Sequence, residues 1–165
     1  MDAILFFVFA VIAVLCAVNL VVQTHPISSA LSLVGVMGAL AVLYLLLGAE
    51  FMAAAQIIVY AGAIMVLFIF VIMLLNAGAE QRVSRSQFAK VFGVPALVGF
   101  LGVVSFLIQT LLPGTKEVVF GSFQGGSAQA VGRKLFTEYL LPFEVTSLLI
   151  LIAILGAVVL ARKEI

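Results

Sequence analysis

Residues 51–76 read FMAAAQIIVYAGAIMVLFIFVIMLLN, and no side chain in the run is charged. A helix needs about 20 consecutive apolar residues to cross the hydrocarbon of a bilayer. This run exceeds that length, and its polar side chains are only Gln56, Tyr60 and Asn76. In lipid, backbone N–H and C=O groups find no water and must pair within the segment, so the run is predicted to be a membrane-spanning α-helix.

The same reading extends outward in both directions. Residues 3–22, 27–47, 91–112 and 140–161 are also long and apolar. With 51–76 they predict an all-α integral membrane protein of five transmembrane helices in a single domain, residues 1–165. Hydrophobic residues make up 65% of the chain and charged residues 9%. Soluble domains carry about a quarter of charged residues, and a chain this short has too little interior to hide so much apolar surface.

The connections have their own chemistry. Pro26 suits the first turn of the second segment, where its missing N–H costs nothing. Gly48 is placed to end that segment, and Glu50 then falls in the first turn of the third, where a carboxylate suits the helix dipole. Residues 113–139 form a long external loop, rich in Gly and Ser in its middle. Its second half, 131–139, has the composition of a short interfacial helix. Arg82, Arg85, Lys90, Arg162 and Lys163 fall on one side, against Lys116, Arg133 and Lys134 on the other. The positive-inside rule then predicts a periplasmic N-terminus and a cytoplasmic C-terminus. The first apolar run is too long for a signal-peptide core and lacks a basic start. It is expected to be a retained helix.

Few residues are equipped for chemistry. The single histidine, His25, sits at a helix boundary and reads as a turn residue. The single cysteine, Cys16, reads as a buried, inert thiol. No phosphate loop, HExxH or dinucleotide fingerprint is present, and no basic patch for nucleic acid. No catalytic, cofactor-binding or metal residue is predicted. Polar groups at membrane depth are costly and usually functional; here they include Asn19, Tyr44, Gln56, Tyr60, Ser105, Gln109 and Glu144. Glu144 follows Pro142-Phe143 and reads as a first-turn carboxylate near the external surface, a dipole partner or a polar contact to a neighbour. Small residues flank Gln56 and Tyr60 and favour close helix approach. The five helices are expected to lack internal polar pairing, and so to lean on other membrane subunits.

The third segment, Gln56-Ile-Ile-Val-Tyr60-Ala-Gly-Ala-Ile-Met65-Val-Leu-Phe68, closely resembles the third helix of subunit J of bacterial respiratory complex I. That complex is the proton-pumping NADH:quinone oxidoreductase, and the animal homologue of the subunit is the mitochondrially encoded subunit six. Leu141-Pro142-Phe143-Glu144-Val145-Thr146-Ser147-Leu148 is similar to the family's fifth helix, and His25-Pro26 with the serines after it also fits. The resemblance implies a non-redox membrane-arm subunit in the bacterial inner membrane, packed against other membrane-arm subunits and lipid. FMN, iron–sulfur clusters and quinone would belong to the complex and not to this chain. It further implies a π-bulge in the third helix, at Tyr60, Ala61, Gly62, Ala63 and Met65, linked to a water path, with Phe68 as its gate.

Helical geometry gives that implication a physical form. At about 100° per residue, with Gln56 at zero, Tyr60 lies near 40°, Leu67 near 20° and Phe68 near 120°. A π-turn makes every later residue lag by about 100°, which moves Phe68 to about 20° in place of Leu67. Gly62 lowers the local cost because it carries no Cβ. Three other readings stay open. One is the same subunit in a plastoquinone- or deazaflavin-linked complex or a membrane-bound hydrogenase. The others are a small independent transporter and a passive scaffold.

Overall fold

The computed structural model describes residues 2–75, 87–111, 120–121, 123 and 125–162, with side chains of 87–98 left aside. Its helices are α1 (Asp2–Val22), α2 (Pro26–Leu46), α3 (Glu50–Ala55), a π-helical segment (Gln56–Ile64), α4 (Met65–Leu74), α5 (Gln87–Leu111), α6 (Ala128–Thr137) and α7 (Leu140–Ala161). No strand occurs among the described residues. α3, the π segment and α4 form one continuous apolar rod, the third crossing. Among the described residues, four rods are long and apolar enough to cross a bilayer: α1, α2, the third crossing and α7. The described apolar part of α5 is Gly99–Leu111. Asn76, Arg82, Arg85, Lys116 and Lys163, and the side chain of Lys90, lie outside the described residues.

Local chemistry sets the helix ends. His25 is extended (φ −91°, ψ 121°), as the residue before a proline prefers to be, and Pro26 opens α2. Gly48 (φ 86°) closes it. The Ala49 N–H donates to the Tyr44 carbonyl at 2.9 Å and the Gly48 N–H to the Leu45 carbonyl at 3.0 Å. This is a Schellman closure, which needs a left-handed residue at the glycine position. Ser127 caps α6, its hydroxyl accepting the Ala130 N–H at 3.2 Å. α6 therefore starts three residues before the predicted 131 and ends at Thr137. α5 begins at Gln87 and not 91, because nothing from Gln87 to Lys90 breaks a helix.

The packing is that of a membrane protein. Among the described residues, the buried apolar ones are Ala30, Ala39, Ala41, Ala53 and Met65, joined by Gln56, and no large side chain is fully buried. α1 lies along α2, and α2 along the whole third crossing. The α1–α2 seam is close enough that a Cβ on Gly35 would stand 3.1 Å from the Cys16 sulfur, which is half-buried. Lipid tails are as apolar as leucine, so small residues and close backbones, not burial from water, hold such helices together. Contrary to expectation, the seam contains polar pairing: Asn19 Nδ2 donates to Ser32 Oγ at 2.8 Å, and Ser32 Oγ donates to the Ser28 carbonyl at 3.0 Å. Ser32 lies on the α1-facing side of α2, a fact that hydropathy alone does not carry.

One end of the molecule gathers several elements. The Phe6 ring near the start of α1 meets Phe120 at 5.7 Å between centroids. Gly121 and Gly126 also bind the α2–α3 turn through the backbone: Gly121 N–H donates to the Leu46 carbonyl at 3.1 Å, and Phe51 N–H to the Gly126 carbonyl at 2.9 Å. A Cβ on Gly126 would overlap the Gly48 carbonyl oxygen and lie 2.7 Å from Ala49 Cα. Only glycine permits that approach. α6 follows directly and packs on both α3 and α7.

Candidate functional site

The third crossing is not one regular helix. Met65 N–H donates to the Tyr60 carbonyl, five residues back, where an α-helix would use Ala61. The π segment contains no proline and needs none; a π-turn keeps every N–H bonded while widening the backbone. The Ile57 carbonyl stands 3.1 Å from where a Cβ of Gly62 would be. A side chain there would press on the widened turn.

The consequence is a change of face. At about 100° per residue, Met65 in a regular helix would sit near 180° from Gln56, on the opposite side. A lag of about 100° returns Met65 to about 80°, Ile69 to about 120° and Ile72 to about 60°. Ala53 lies near 60° on the same count. The structure accords with the lagged register. Gln56 is 8% exposed and Met65 5%, Ala53 is buried, and Ile69 and Ile72 are half-buried. All belong to a rod that packs on α2.

Gln56 is the polar member of this seam. Its Nε2 donates to Met37 Sδ at 2.7 Å. A thioether is a weak acceptor, so the contact fixes the amide less firmly than an oxygen would. Met37 was not foreseen, because a methionine in an apolar run carries no signal of what it will face. Tyr60, near 40°, and Phe68, near 20° on the lagged count, share this arc but are each 50% exposed, and Leu67 is 63% exposed. Ala61 is half-buried, Gly62 and Ala63 are exposed. The π segment thus brings Gln56 and Met65 together against α2, and leaves Tyr60 and Phe68 on the outer surface of the chain.

The two flanking carboxylates differ. Glu50 opens α3, as expected. Glu144 does not lie in the first turn of its helix: α7 begins at Leu140, and its first turn holds no acid. Tyr139, just before it, is non-helical (φ −115°, ψ 27°), so Pro142 still falls among the N–H groups that need no partner. Glu144 is one turn deeper, which weakens its dipole role. It is exposed, and its carbonyl accepts the Ser147 hydroxyl at 2.6 Å. It belongs to the α6–α7 corner and not to the seam. Among the described residues, no group of three or more His, Cys, Asp or Glu side chains is placed to hold a metal.

Sequence comparison adds to this picture. Residues 16–160 match the family described as NADH-ubiquinone/plastoquinone oxidoreductase chain 6. The chain is similar to the chloroplast NAD(P)H-quinone oxidoreductase subunit 6 of Staurastrum punctulatum, 45% identical over 148 residues, 84% of this chain and 78% of the relative. It is 35% identical to NAD(P)H-quinone oxidoreductase chain 6 of Leptolyngbya boryana, over 94% of this chain and 79% of the relative. The Synechocystis chain 6 is 34% identical over 96% and 80%. The matched region contains the whole third crossing.

Proposed function

The chain belongs to the family of NADH-ubiquinone/plastoquinone oxidoreductase chain 6, and from that premise we propose that it couples quinone reduction to proton pumping by changing the register of its third crossing. As a family member it is a multi-pass membrane subunit of a quinone oxidoreductase complex, assembled with other subunits. In this reading its neighbours are membrane-arm subunits in a bacterial inner membrane. FMN, iron–sulfur clusters and quinone are handled on other chains. The single observation that carries the proposal is the shared face of Gln56 and Met65. Only the π register puts Met65, Ile69 and Ile72 on the α2 side with Gln56. Return to a regular helix would turn them away by about 100° and sweep Phe68 off the Gln56 line. An exchange of aromatic for aliphatic side chain along one line is a means of closing or opening a hydrated path.

A fifth crossing belongs to the same proposal. The α2–α3 turn sits at one end of the molecule with Gly121 and Gly126, joined to them by backbone hydrogen bonds. The third crossing leaves that end, so the chain has to return between Leu75 and Phe120. α5, at about 1.5 Å per residue, is long enough to make that passage. With five crossings, the N-terminus and α6 share one side and Arg162 lies on the other; the periplasmic assignment of the first side follows from the basic-residue count.

The test is a set of structures of the assembled complex, resting and during turnover. Two registers beyond Gly62, with Phe68 in two orientations, are expected. One fixed orientation of Phe68 in every state would end the gating reading. In parallel, Gly62→Val and Tyr60→Phe should lower pumping per quinone reduced more than the amount of complex. Normal turnover in a reduced amount of complex would mean that the segment only packs. A second reading, the same subunit in a plastoquinone-linked complex, is favoured by the chloroplast and cyanobacterial relatives. Identifying the quinone that co-purifies with the complex separates the two.

A further inference from the structure

Between α6 and the first turns of α7 runs a trough walled by carbon. One part, about 210 Å³, is lined by Gly125, Val131, Lys134, Leu135 and Tyr139. The next, about 220 Å³, is lined by Leu135, Tyr139, Pro142, Phe143 and Thr146. Leu135 and Tyr139 line both parts, so the two lie side by side from the loop to the entry of the α7 span.

The corner that forms it is built firmly. The N–H groups of Glu138 and Tyr139 both donate to the Lys134 carbonyl, at 2.8 and 3.1 Å. The Phe136 ring meets Phe143 edge-on at 5.3 Å, which ties α6 to α7. α6 is also amphipathic. At about 100° per residue with Ala128 at zero, Val131 and Leu135 lie near 300° and 340°, and Gln129, Arg133 and Thr137 near 100°, 140° and 180°. Lys134, near 240°, stands on the border between the two arcs. A short helix of this kind lies in the interface, its apolar arc towards the acyl chains and its basic arc towards headgroups. The apolar α7 span leads directly away from it into the hydrocarbon.

We propose that this trough seats an acyl chain of an anionic phospholipid, with the lipid phosphate held by the Lys134 ammonium and the Tyr139 hydroxyl. Size and lining fit a hydrocarbon chain. Charge selects the headgroup: Lys134 lines the trough, whereas Glu138 and Glu144, the acids of this corner, do not, and a zwitterionic headgroup would bring its own cation towards Lys134. Tyr139, 55% exposed, sits where an aromatic with one polar tip favours the headgroup level. The proposal needs the membrane reading but not the register switch. Lipid occupancy can be lost with pumping intact, and the reverse, so the two failures are distinguishable.

The experiment uses the assembled complex in phosphatidylcholine nanodiscs containing a photoreactive phosphatidylglycerol or, separately, a photoreactive phosphatidylcholine. Labelled peptides are located by mass spectrometry. The phosphatidylglycerol probe should label residues 131–146 and the phosphatidylcholine probe should not. Lys134→Glu should lower the labelling by about five-fold or more, the order expected for one basic contact at an anionic surface. Lys134→Arg should retain it. Leu135→Trp, which fills the trough, should also abolish it. Equal labelling by both probes overturns the proposal, as does labelling unaffected by Lys134→Glu in intact complex. So does an unlabelled trough whose residues crosslink to a neighbouring subunit instead.

Discussion

The two ends of the third crossing are held by different forces. At the α3 end, Phe51 N–H binds the Gly126 carbonyl, Gly121 N–H binds Leu46, and Gly48, Gly121 and Gly126 let the backbones touch. At the α4 end, Met65, Ile69 and Ile72 rest on α2 through side chains. Backbone hydrogen bonds between fixed partners admit one register. Apolar side chains against an apolar helix in lipid admit several, because lipid replaces a lost contact at little cost. A rod pinned at one end and packed at the other can turn only beyond the pinned part. The π segment stands between the two.

The mutation that should break this comparison most is Gly126→Ala. Its Cβ would overlap the Gly48 carbonyl, and displacing the loop also loses the Phe51 bond. Overpacking with a lost hydrogen bond gives about 3 kcal/mol, read as a fall in thermal midpoint and in assembled complex. A cost no larger than that of a seam polar mutant would mean the end is not pinned. Gly48→Ala comes next. An alanine held at φ 86° costs about 1–2 kcal/mol, measured in the same way. Asn19→Ala removes the bond to Ser32 in the α1–α2 seam and should cost about 0.6 kcal/mol, the average of hydrogen bonds between membrane helices. Leu155→Ala on α7 should come last. Leu155 is 57% exposed, so the change should stay within about 0.5 kcal/mol. A larger loss in the complex alone would show that another subunit covers that face.

Much of this architecture was legible. Apolar runs mark helices in lipid because no other local structure satisfies their backbone. Pro26 and Gly48 marked the ends of α2, and both act there through backbone geometry that each residue type fixes by itself. The segment around Tyr60 and Gly62 was legible only through family resemblance, since an apolar run reads alike in α and π form. Glu144 reads as a first-turn carboxylate in the sequence although the predicted start at 140 agrees with the structure; counted from Leu140 it falls in the second turn. Met37 and the Asn19–Ser32 pair were not legible, because a contact between helices depends on how each is rotated about its axis.

The sequence by itself determined that this chain is built of apolar rods suited to lipid and where two of their ends fall. Those are properties of single segments, fixed by hydropathy and by the φ preferences of proline and glycine. The tertiary structure decided what the rods do to one another: that Gly121 and Gly126 hold the turn at the start of the third crossing, and that Gln56 and Met65 share the α2 face. The reason is that lipid supplies no preference for one face of an apolar helix over another. Rotation and register are set by contact with neighbours, and no residue in the rod encodes them alone.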